Sequence, residues 1–576
     1  MTDWKFMEKK TATASEDFKK NRMGGFRYID KTHLLAPLLD GEHETTFLLR
    51  PRRFGKTLTL SMIQYFIEDT RDETLNEENR SLFEGLKIME MGEEYSRQMT
   101  SFPVIHLTLQ TVSSTDFSGA YENLTKLIQK LYDDKRWALE SDQLSKADRE
   151  CFRKILTGYD ENKQAPTPED YKTSLRNLTE ILRKATGKRA VVLIDEYDVP
   201  LEKAHQNGYY RQMVDIIGPL LQNALKTNSA NLQFAVITGC LRIAKEGIYT
   251  GLNNPDVSTV CSYRGSDFIG FTEGEVQQLL TNSGLPDHFD QVKEWYDGYR
   301  FGDTVIYNPW SVIKYIEDHS VNPLIPPLAY WAGTSGNAII RDLADHADDA
   351  TRMKAEALVQ GNEISFTLKD DIVYDNLYEN ADNLFNVMLF TGYLTAVSSD
   401  GETVRARIPN REIRKIYRDK FSEWFRESIS TFNIREFYAA MEQGDTKKME
   451  AILNDRFLSS MSYFDTLEAF YHGVMLALLQ LNPEYECQSN REAGDGRFDI
   501  QCRQRARWNL AFLLEFKVSD TIKNMTRDAE KAAAQIAEKR YMTDLQEEGY
   551  QTIYAYGFSF CKKRCRVAQG VIRKAD

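Results

Sequence analysis

The octet Arg50-Pro51-Arg52-Arg53-Phe54-Gly55-Lys56-Thr57 carries the residue types that hold a polyphosphate. It follows the apolar run Thr46-Phe47-Leu48-Leu49 and precedes Leu58-Thr59-Leu60-Ser61-Met62-Ile63, so a strand, a loop and a helix are expected in that order. Backbone N–H groups at such a helix start face phosphate oxygens. Lys56 is expected to reach the β- and γ-phosphates of ATP, and the Thr57 hydroxyl to bind Mg²⁺. Arg53 and Gly55 belong to the same nucleotide-contacting loop. Arg50 stands where the usual GxxxxGK[ST] pattern has its first glycine.

A second stretch complements the first. Ala190-Val191-Val192-Leu193-Ile194 reads as a buried parallel strand ending in Asp195-Glu196-Tyr197-Asp198. Adjacent carboxylates at the end of a buried strand are costly unless they bind a cation or water. Asp195 is expected to support Mg²⁺ and Glu196 to polarise the attacking water. A further strand, Leu232 to Ile237, ends in Thr238-Gly239, where Thr238 suits a γ-phosphate sensor, and Arg242 follows within a turn.

The third constellation lies near the C-terminus. Gly494-Asp495-Gly496-Arg497-Phe498-Asp499-Ile500 precedes Leu510-Ala511-Phe512-Leu513-Leu514-Glu515-Phe516-Lys517-Val518. Strand alternation puts Glu515 and Lys517 on one face, and a hairpin would bring Asp499 alongside Glu515. Two carboxylates and a lysine there suit Mg²⁺ or Mn²⁺, with the metal activating water and Lys517 orienting it or neutralising charge. Glu468, on an amphipathic helix expected over Asp465–Leu481, is a further metal ligand; His472 on that helix is read as a structural hydrogen-bonding residue. Gln535, on an Ala-rich helix, is expected to approach the site. The alternative for Glu515 is a cross-strand ion pair, but its apolar flanks demand a partner if it is buried.

These groups need elements to hold them. With 576 residues, several domains are expected. The composition, 42% hydrophobic and 28% charged, fits folded domains and excludes a disordered chain. No apolar run approaches the ~20 residues a membrane span needs, and Met1–Lys20 lacks the apolar core of a signal peptide. The seven cysteines are scattered, with Cys561 and Cys565 the one close pair; reduced thiols in a cytoplasmic protein are expected rather than a zinc site. Net charge is −13, which argues against a general nucleic-acid coat, yet from residue 446 onward 20 Lys and Arg stand against 18 Asp and Glu.

Residues 26–270 read as α/β, including a strand at Phe102–Leu107 and a helix opened by Thr167 with Pro168 behind it. Thr272-Glu273-Gly274-Glu275 is a capping box opening a helical lid over 271–345, and Asn308-Pro309 starts another helix there. Trp295-Tyr296-Asp297-Gly298-Tyr299-Arg300-Phe301-Gly302 reads as packing, with Arg300 the residue able to face a nucleotide. Residues 346–445 mix helix and short strands around a turn at Ser399-Asp400-Gly401, and 446–576 hold the carboxylate pair. Residues 1–25 form an N-terminal segment.

The chain resembles bacterial proteins with an N-terminal AAA-ATPase-like domain and a C-terminal PD-(D/E)XK nuclease-superfamily domain. The resemblance rests on YIDKT at 28–32, RPRRFGKT at 50–57, LIDEYD at 193–198, TGCLRIAKEGIYTGLNN at 238–254, FTEGEV at 271–276, WYDGYRFG at 295–302, YNPW at 307–310, YWAGTS at 330–335, IPNRE at 408–412, REAGDGRFDI at 491–500, LEFKV at 514–518 and QIAEKRY at 535–541. It implies an α/β multidomain chain: a P-loop ATPase with a parallel sheet, a helical lid and middle region, and a restriction-endonuclease-like α/β domain. It also implies ATP and Mg²⁺ at Lys56, Thr57, Asp195 and Glu196, and a nuclease site at Asp499, Glu515 and Lys517, with Glu468 and Gln535 beside them. Arg503-Gln504-Arg505-Ala506-Arg507 and Lys562-Lys563-Arg564 with Arg566 are expected either to contact phosphates or to be solvated surface.

Three functions follow. One is an ATP-regulated, Mg²⁺-dependent nuclease acting on nucleic acid, DNA in the first instance. Another is a nucleotide-driven switch or scaffold whose nuclease-like domain binds without cutting. The last is an ATPase whose C-terminal domain binds another protein. Self-association into a homo-oligomer is left open.

Overall fold

A computed structural model describes residues 15–158, 164–226, 228–243, 255–331, 351, 354–355, 357–358, 361–369, 380–417, 419, 433–454, 468–489, 492–493, 496–497, 499–505, 510–538, 543–561 and 564–574. The chain divides into two compact units, one of residues 1–339 with 361–416, the other of 340–360 with 417–576.

The first unit is built on five parallel strands, β1 (Thr45–Leu49), β2 (Val104–Thr108), β3 (Ala190–Asp195), β4 (Leu232–Gly239) and β5 (Asp256–Ser258), in the order β2-β3-β4-β1-β5. Every residue of β1 and β3 is buried. Helices cover the sheet, as near-continuous apolar strands require. Among them are Lys56–Ile67, which follows β1, and Pro168–Thr186, opened by a capping box of Thr167 and Asp170. Because β4 inserts between β1 and β3, the ends of all three strands converge on one edge.

Residues 271–321 hold more than helices. A small antiparallel sheet, β6 (Phe271–Thr272), β7 (Tyr299–Phe301) and β8 (Thr304–Tyr307), carries the helices Glu273–Asn282, Phe289–Tyr296 and Pro309–Val321. The aromatics of this region are core: Tyr296, Tyr307 and Tyr315 are buried with Val276, Leu280 and Val312, and Ile29 packs against them. Beyond it, β9 (Ile364–Thr367), β10 (Thr395–Ser399) and β11 (Thr403–Arg407) form an antiparallel sheet, with Asp400 accepting the N–H groups of Glu402 and Thr403 in the turn.

The second unit has a mixed sheet of β12 (Tyr485–Ser489), β15 (Ile500–Gln504), β16 (Leu510–Val518), β17 (Thr552–Cys561) and β18 (Arg564–Gln569), with β19 (Arg573–Lys574) pairing β17; β13 (Glu492–Ala493) and β14 (Gly496–Arg497) make a separate ribbon. β15 and β16 run antiparallel, β16 and β17 parallel. Alternation divides the sheet into two faces. Phe512, Leu514, Phe516, Tyr556, Phe558 and Phe560 bury against helices such as Glu468–Leu479. Ala511, Leu513, Ile553 and Ala555 share a smaller core with Ile536 of the helix Met525–Glu538. That helix lies tight on β17: a Cβ on Gly557 would stand 2.1 Å from the Ala529 carbonyl.

The expectation of reduced thiols throughout is corrected. Cys487 and Cys502 face each other directly across β12 and β15 and are joined as a disulfide. A 15-residue separation hid a pairing that only the strand register creates. Cys561 and Cys565 are buried free thiols, and no cluster of three His, Cys, Asp or Glu occurs among the described residues. No helix among the described residues is long and apolar enough to cross a membrane.

Candidate functional site

After β1 the chain turns through Arg50–Gly55 and enters the helix Lys56–Ile67. Gly55, the residue before the helix, has φ 101°, a conformation that a Cβ disfavours. Arg53 takes φ 69° without that freedom. Lys56 is buried, and its Nζ donates to the carbonyls of Arg50 (2.9 Å) and Pro51 (3.0 Å). The loop thus encloses a cation held by main-chain dipoles, the kind of group an incoming anion attracts.

The other strand ends meet it. Thr57 Oγ1 donates to Asp195 Oδ2 at 2.7 Å, and Thr238 Oγ1 donates to the other oxygen of Asp195. Glu196 adopts φ 51°, ending β3 with a left-handed turn, and its side chain lines the adjoining cavity. Burial raises the Glu196 carboxyl above its ordinary value, Lys56 and Arg52 pull it back, and Asp195 and Asp198 push it further up. Asp198, itself buried, accepts the N–H groups of Cys240 (2.7 Å) and Leu241 (3.0 Å) and so locks the end of β4 to that of β3. Gly239 is required there, since a Cβ would meet the Tyr197 ring at 2.7 Å.

The cavity has a volume of about 340 Å³, within the range that takes a small-molecule ligand. Lys56, Thr57 and Glu196 line one part, and Tyr28, Phe271 and Trp310 another. Arg53 lies over the Trp310 ring, 4.7 Å from its centre. Lys31 also lines the cavity; its Nζ donates to the Asp267 carbonyl (2.9 Å) and to Glu275 (2.7 Å), the acid of the Thr272 capping box.

Arg50 is fully buried, and its guanidinium donates to Leu49, Ser258 and Gly265 carbonyls and to the Ser258 hydroxyl. It ties the loop to β5 and does not reach the cavity. Arg300 is not a nucleotide-facing residue: β7 turns it outward, where it donates to the Val397 carbonyl (3.0 Å) and pairs with Asp303 (3.1 Å). Arg242 lies just beyond β4, and 244–254 lie outside the described residues.

In the second unit, the register pairs Ile500 with Leu514, which sets Asp499 at the level of Glu515. Asp499 Oδ2 accepts the Phe516 N–H at 2.8 Å, and His472 Nε2 donates to the Asp499 carbonyl at 2.7 Å. Burial raises the Asp499 carboxyl, opposed by the Phe516 N–H and by the charges of His472 and Lys517. Glu515 is 4% exposed and receives a hydrogen bond from Gln535 Nε2 of the Met525–Glu538 helix. Glu515 and Lys517 share the strand face that this helix covers. Glu468 begins the helix Glu468–Leu479, and its side chain lies outside the described residues.

The basic side chains differ in their freedom. Arg503 pairs with Glu548 (3.0 Å) and Arg566 with Glu450 (2.9 Å), whereas Arg505 and Arg564 are exposed; Ala506, Arg507, Lys562 and Lys563 lie outside the described residues. Composition alone could not separate the paired cations from the exposed ones. Likewise Arg52, whose guanidinium meets Glu202 at 2.5 Å beside the cavity, was hidden in a run of arginines.

Two stretches of the chain match known families. Residues 13–249 match the family described as predicted AAA-ATPase, and residues 466–570 match the PD-(D/E)XK nuclease superfamily. A protein of Azotobacter chroococcum, described as an uncharacterized protein in the vnfD 5′ region, is 27% identical over 417 residues, 70% of this chain and 68% of that one. The loop and its acidic strand lie within the first match, and the Asp499–Glu515 pair within the second: the chain is similar to predicted AAA-ATPases in its N-terminal part and to the PD-(D/E)XK nuclease superfamily in its C-terminal part.

Proposed function

We propose that this protein binds and hydrolyses ATP and that nucleotide state regulates Mg²⁺-dependent cleavage of DNA by its C-terminal domain. The observation that carries the ATPase reading is the chain Thr57–Asp195–Thr238, with Lys56 buried behind the loop and Glu196 turned toward the cavity. Thr57 and Asp195 offer hard oxygen donors, which fit Mg²⁺ when phosphate oxygens supply the rest of its shell. Bound there, Mg²⁺ would neutralise charge on the β- and γ-phosphates. Lys56 leaves the loop carbonyls for the phosphates, Glu196 accepts a proton from the attacking water, and Thr238 fixes the acidic strand end. Arg53 and Gly55 shape the loop around the phosphates. A need for ATP is what supports a cytoplasmic location.

In the C-terminal domain, Asp499 and Glu515 would hold Mg²⁺ or Mn²⁺, with Glu468 completing the set, and the metal would supply an activated water and charge neutralisation at phosphorus. Lys517 orients that water, and Gln535 holds Glu515 in place. The competing reading is a nucleotide-driven switch that binds nucleic acid without cutting. The burial of Glu515, 4% exposed and bonded to Gln535 of the helix that covers it, favours it, because a scissile phosphate would have to reach a metal held there. Incubation of purified protein with linear, circular and single-stranded DNA and with RNA, in Mg²⁺ or Mn²⁺, with and without ATP, separates the two. Cleavage that depends on ATP supports the nuclease; retention of nucleic acid without cleavage supports the switch.

A further inference from the structure

The three arginines of the loop have different fates. Arg50 is buried in hydrogen bonds to β5 and its flanks. Arg53 stacks on Trp310. Arg52 turns toward the acidic strand end and pairs with Glu202 on the helix Val199–Gln206, at 2.5 Å with both side chains about a quarter exposed (28% and 22%). Arg52 lines the cavity together with Lys56, Thr57 and Glu196. Burial works against its charge, but Glu202 and, behind it, Asp198 and Glu196 hold it protonated. Its backbone is fixed as well, since Trp331 Nε1 donates to the Arg52 carbonyl at 3.2 Å. Glu202 has a second neighbour, Gln206 Nε2 at 3.4 Å, so it is not stranded if Arg52 departs.

We propose that Arg52 is a catalytic residue of ATP hydrolysis, held by Glu202 in the resting loop and transferred to the γ-phosphate when ATP binds. This rests on the ATPase reading above. In the step, the oxygen of water bonds to the γ-phosphorus while the bond from that phosphorus to the bridging oxygen breaks, its electron pair leaving on ADP. One water proton passes to Glu196 and then to the released phosphate. Charge spreads over the three equatorial oxygens as this happens. That charge develops beside the carboxylates Asp195, Glu196 and Asp198, and a bidentate guanidinium on the γ-phosphate adds to what Lys56 and a bound Mg²⁺ would offset. ADP lacks the group that Arg52 meets, so Arg52 also separates ATP from ADP.

The test uses the full chain and the variants Arg52→Ala, Arg52→Lys, Glu202→Gln and Lys56→Ala, with ATP and ADP affinities measured by calorimetry and turnover by phosphate release. Arg52→Ala should lower kcat by at least ~100-fold and abolish the preference for ATP over ADP, while ADP affinity stays within about twofold. Arg52→Lys should recover part of kcat. Glu202→Gln should raise ATP affinity by about 2- to 5-fold, the worth of a partly exposed ion pair, and leave ADP affinity unchanged. Wild-type turnover in Arg52→Ala overturns the proposal while leaving nucleotide binding, lost in Lys56→Ala, intact. Equal loss of ATP and ADP affinity in Arg52→Ala, without recovery in Arg52→Lys, shows a structural role and overturns it too. Wild-type protein that binds ATP without hydrolysing it overturns the catalytic assignment, and wild-type protein that binds neither nucleotide overturns the ATPase reading with it.

Discussion

Thr57 Oγ1 and Asp195 Oδ2 lie 2.7 Å apart although β1, which leads into the loop before Thr57, and β3, which ends in Asp195, are not neighbours. β4 runs between β1 and β3, so the two strands are separated by roughly twice the ~4.8 Å spacing of a sheet. The hydroxyl at the helix start and the carboxylate at the strand end bridge that gap above β4, and Thr238 at the end of β4 binds the same carboxylate from the middle. Hard oxygen donors are thereby gathered at one edge from strands far apart in sequence.

Lys56→Ala should weaken ATP binding by ~100-fold or more, because charge-assisted bonds to phosphate are lost. Glu196→Gln should keep ATP affinity and lower hydrolysis ~10²- to 10³-fold. Since Glu196 must be ionised to accept a proton, wild-type kcat should fall as pH drops through the titration of this carboxyl, and Glu196→Gln should lose that limb. Turnover by Glu196→Gln at the wild-type rate would remove Glu196 from the mechanism.

Glu412 is buried where Ser311 Oγ (2.8 Å) and the Trp331 N–H (2.9 Å) both donate to it, and burial pushes its carboxyl up to about 7 from 4.5. The folded state therefore holds this proton to higher pH than the unfolded chain does. Stability should be greatest below the unfolded value and decline as pH rises toward 7, by roughly 3 kcal/mol in all. Urea unfolding of the wild type and of Glu412→Gln at pH 5 and 8 checks this. Glutamine keeps the acceptor for Trp331 and cannot ionise, so the variant should lose most of that pH dependence.

Asp499→Ala and Glu515→Ala should abolish any Mg²⁺-dependent DNA cleavage, and Lys517→Ala should lower it by ~10²-fold or more while sparing metal binding. ATP hydrolysis should persist in all three. Removing one member of a buried charged set is destabilising by about 3–5 kcal/mol, so circular dichroism and thermal melting must accompany the assay. Equal cleavage by folded Asp499→Ala and wild-type protein would exclude this pair.

Gly557→Ala tests how the second unit is built. The new Cβ would meet the Ala529 carbonyl at 2.1 Å, backbone against backbone, and would force the helix Met525–Glu538 off β17. A loss of about 1–3 kcal/mol is expected. Differential scanning calorimetry should show a lowered transition for the C-terminal unit, with ATP hydrolysis unchanged.

The sequence alone determined the strands that carry both sites, several helix starts and the residue types there, but not the strands at 271–272, 299–301 and 304–307. An apolar run such as Val191-Val192-Leu193-Ile194 has few options but a buried strand, and Thr167-Pro168 or Thr272-x-x-Glu275 announces a helix start by local hydrogen bonding. Alternation likewise puts Glu515 and Lys517 on one face, whatever the rest of the chain does. What needed the tertiary structure was every pairing over distance. Arg50, Arg52 and Arg53 are adjacent and chemically alike, yet one is sealed against β5, one faces Glu202 and one stacks on Trp310. Arg300 lies within a motif of the resemblance but is spent on Val397 and Asp303, and Cys487 meets Cys502 only through the register of β12 and β15. A side chain's partner is set by which elements pack beside it, and local spacing holds no information about elements that are a hundred residues away.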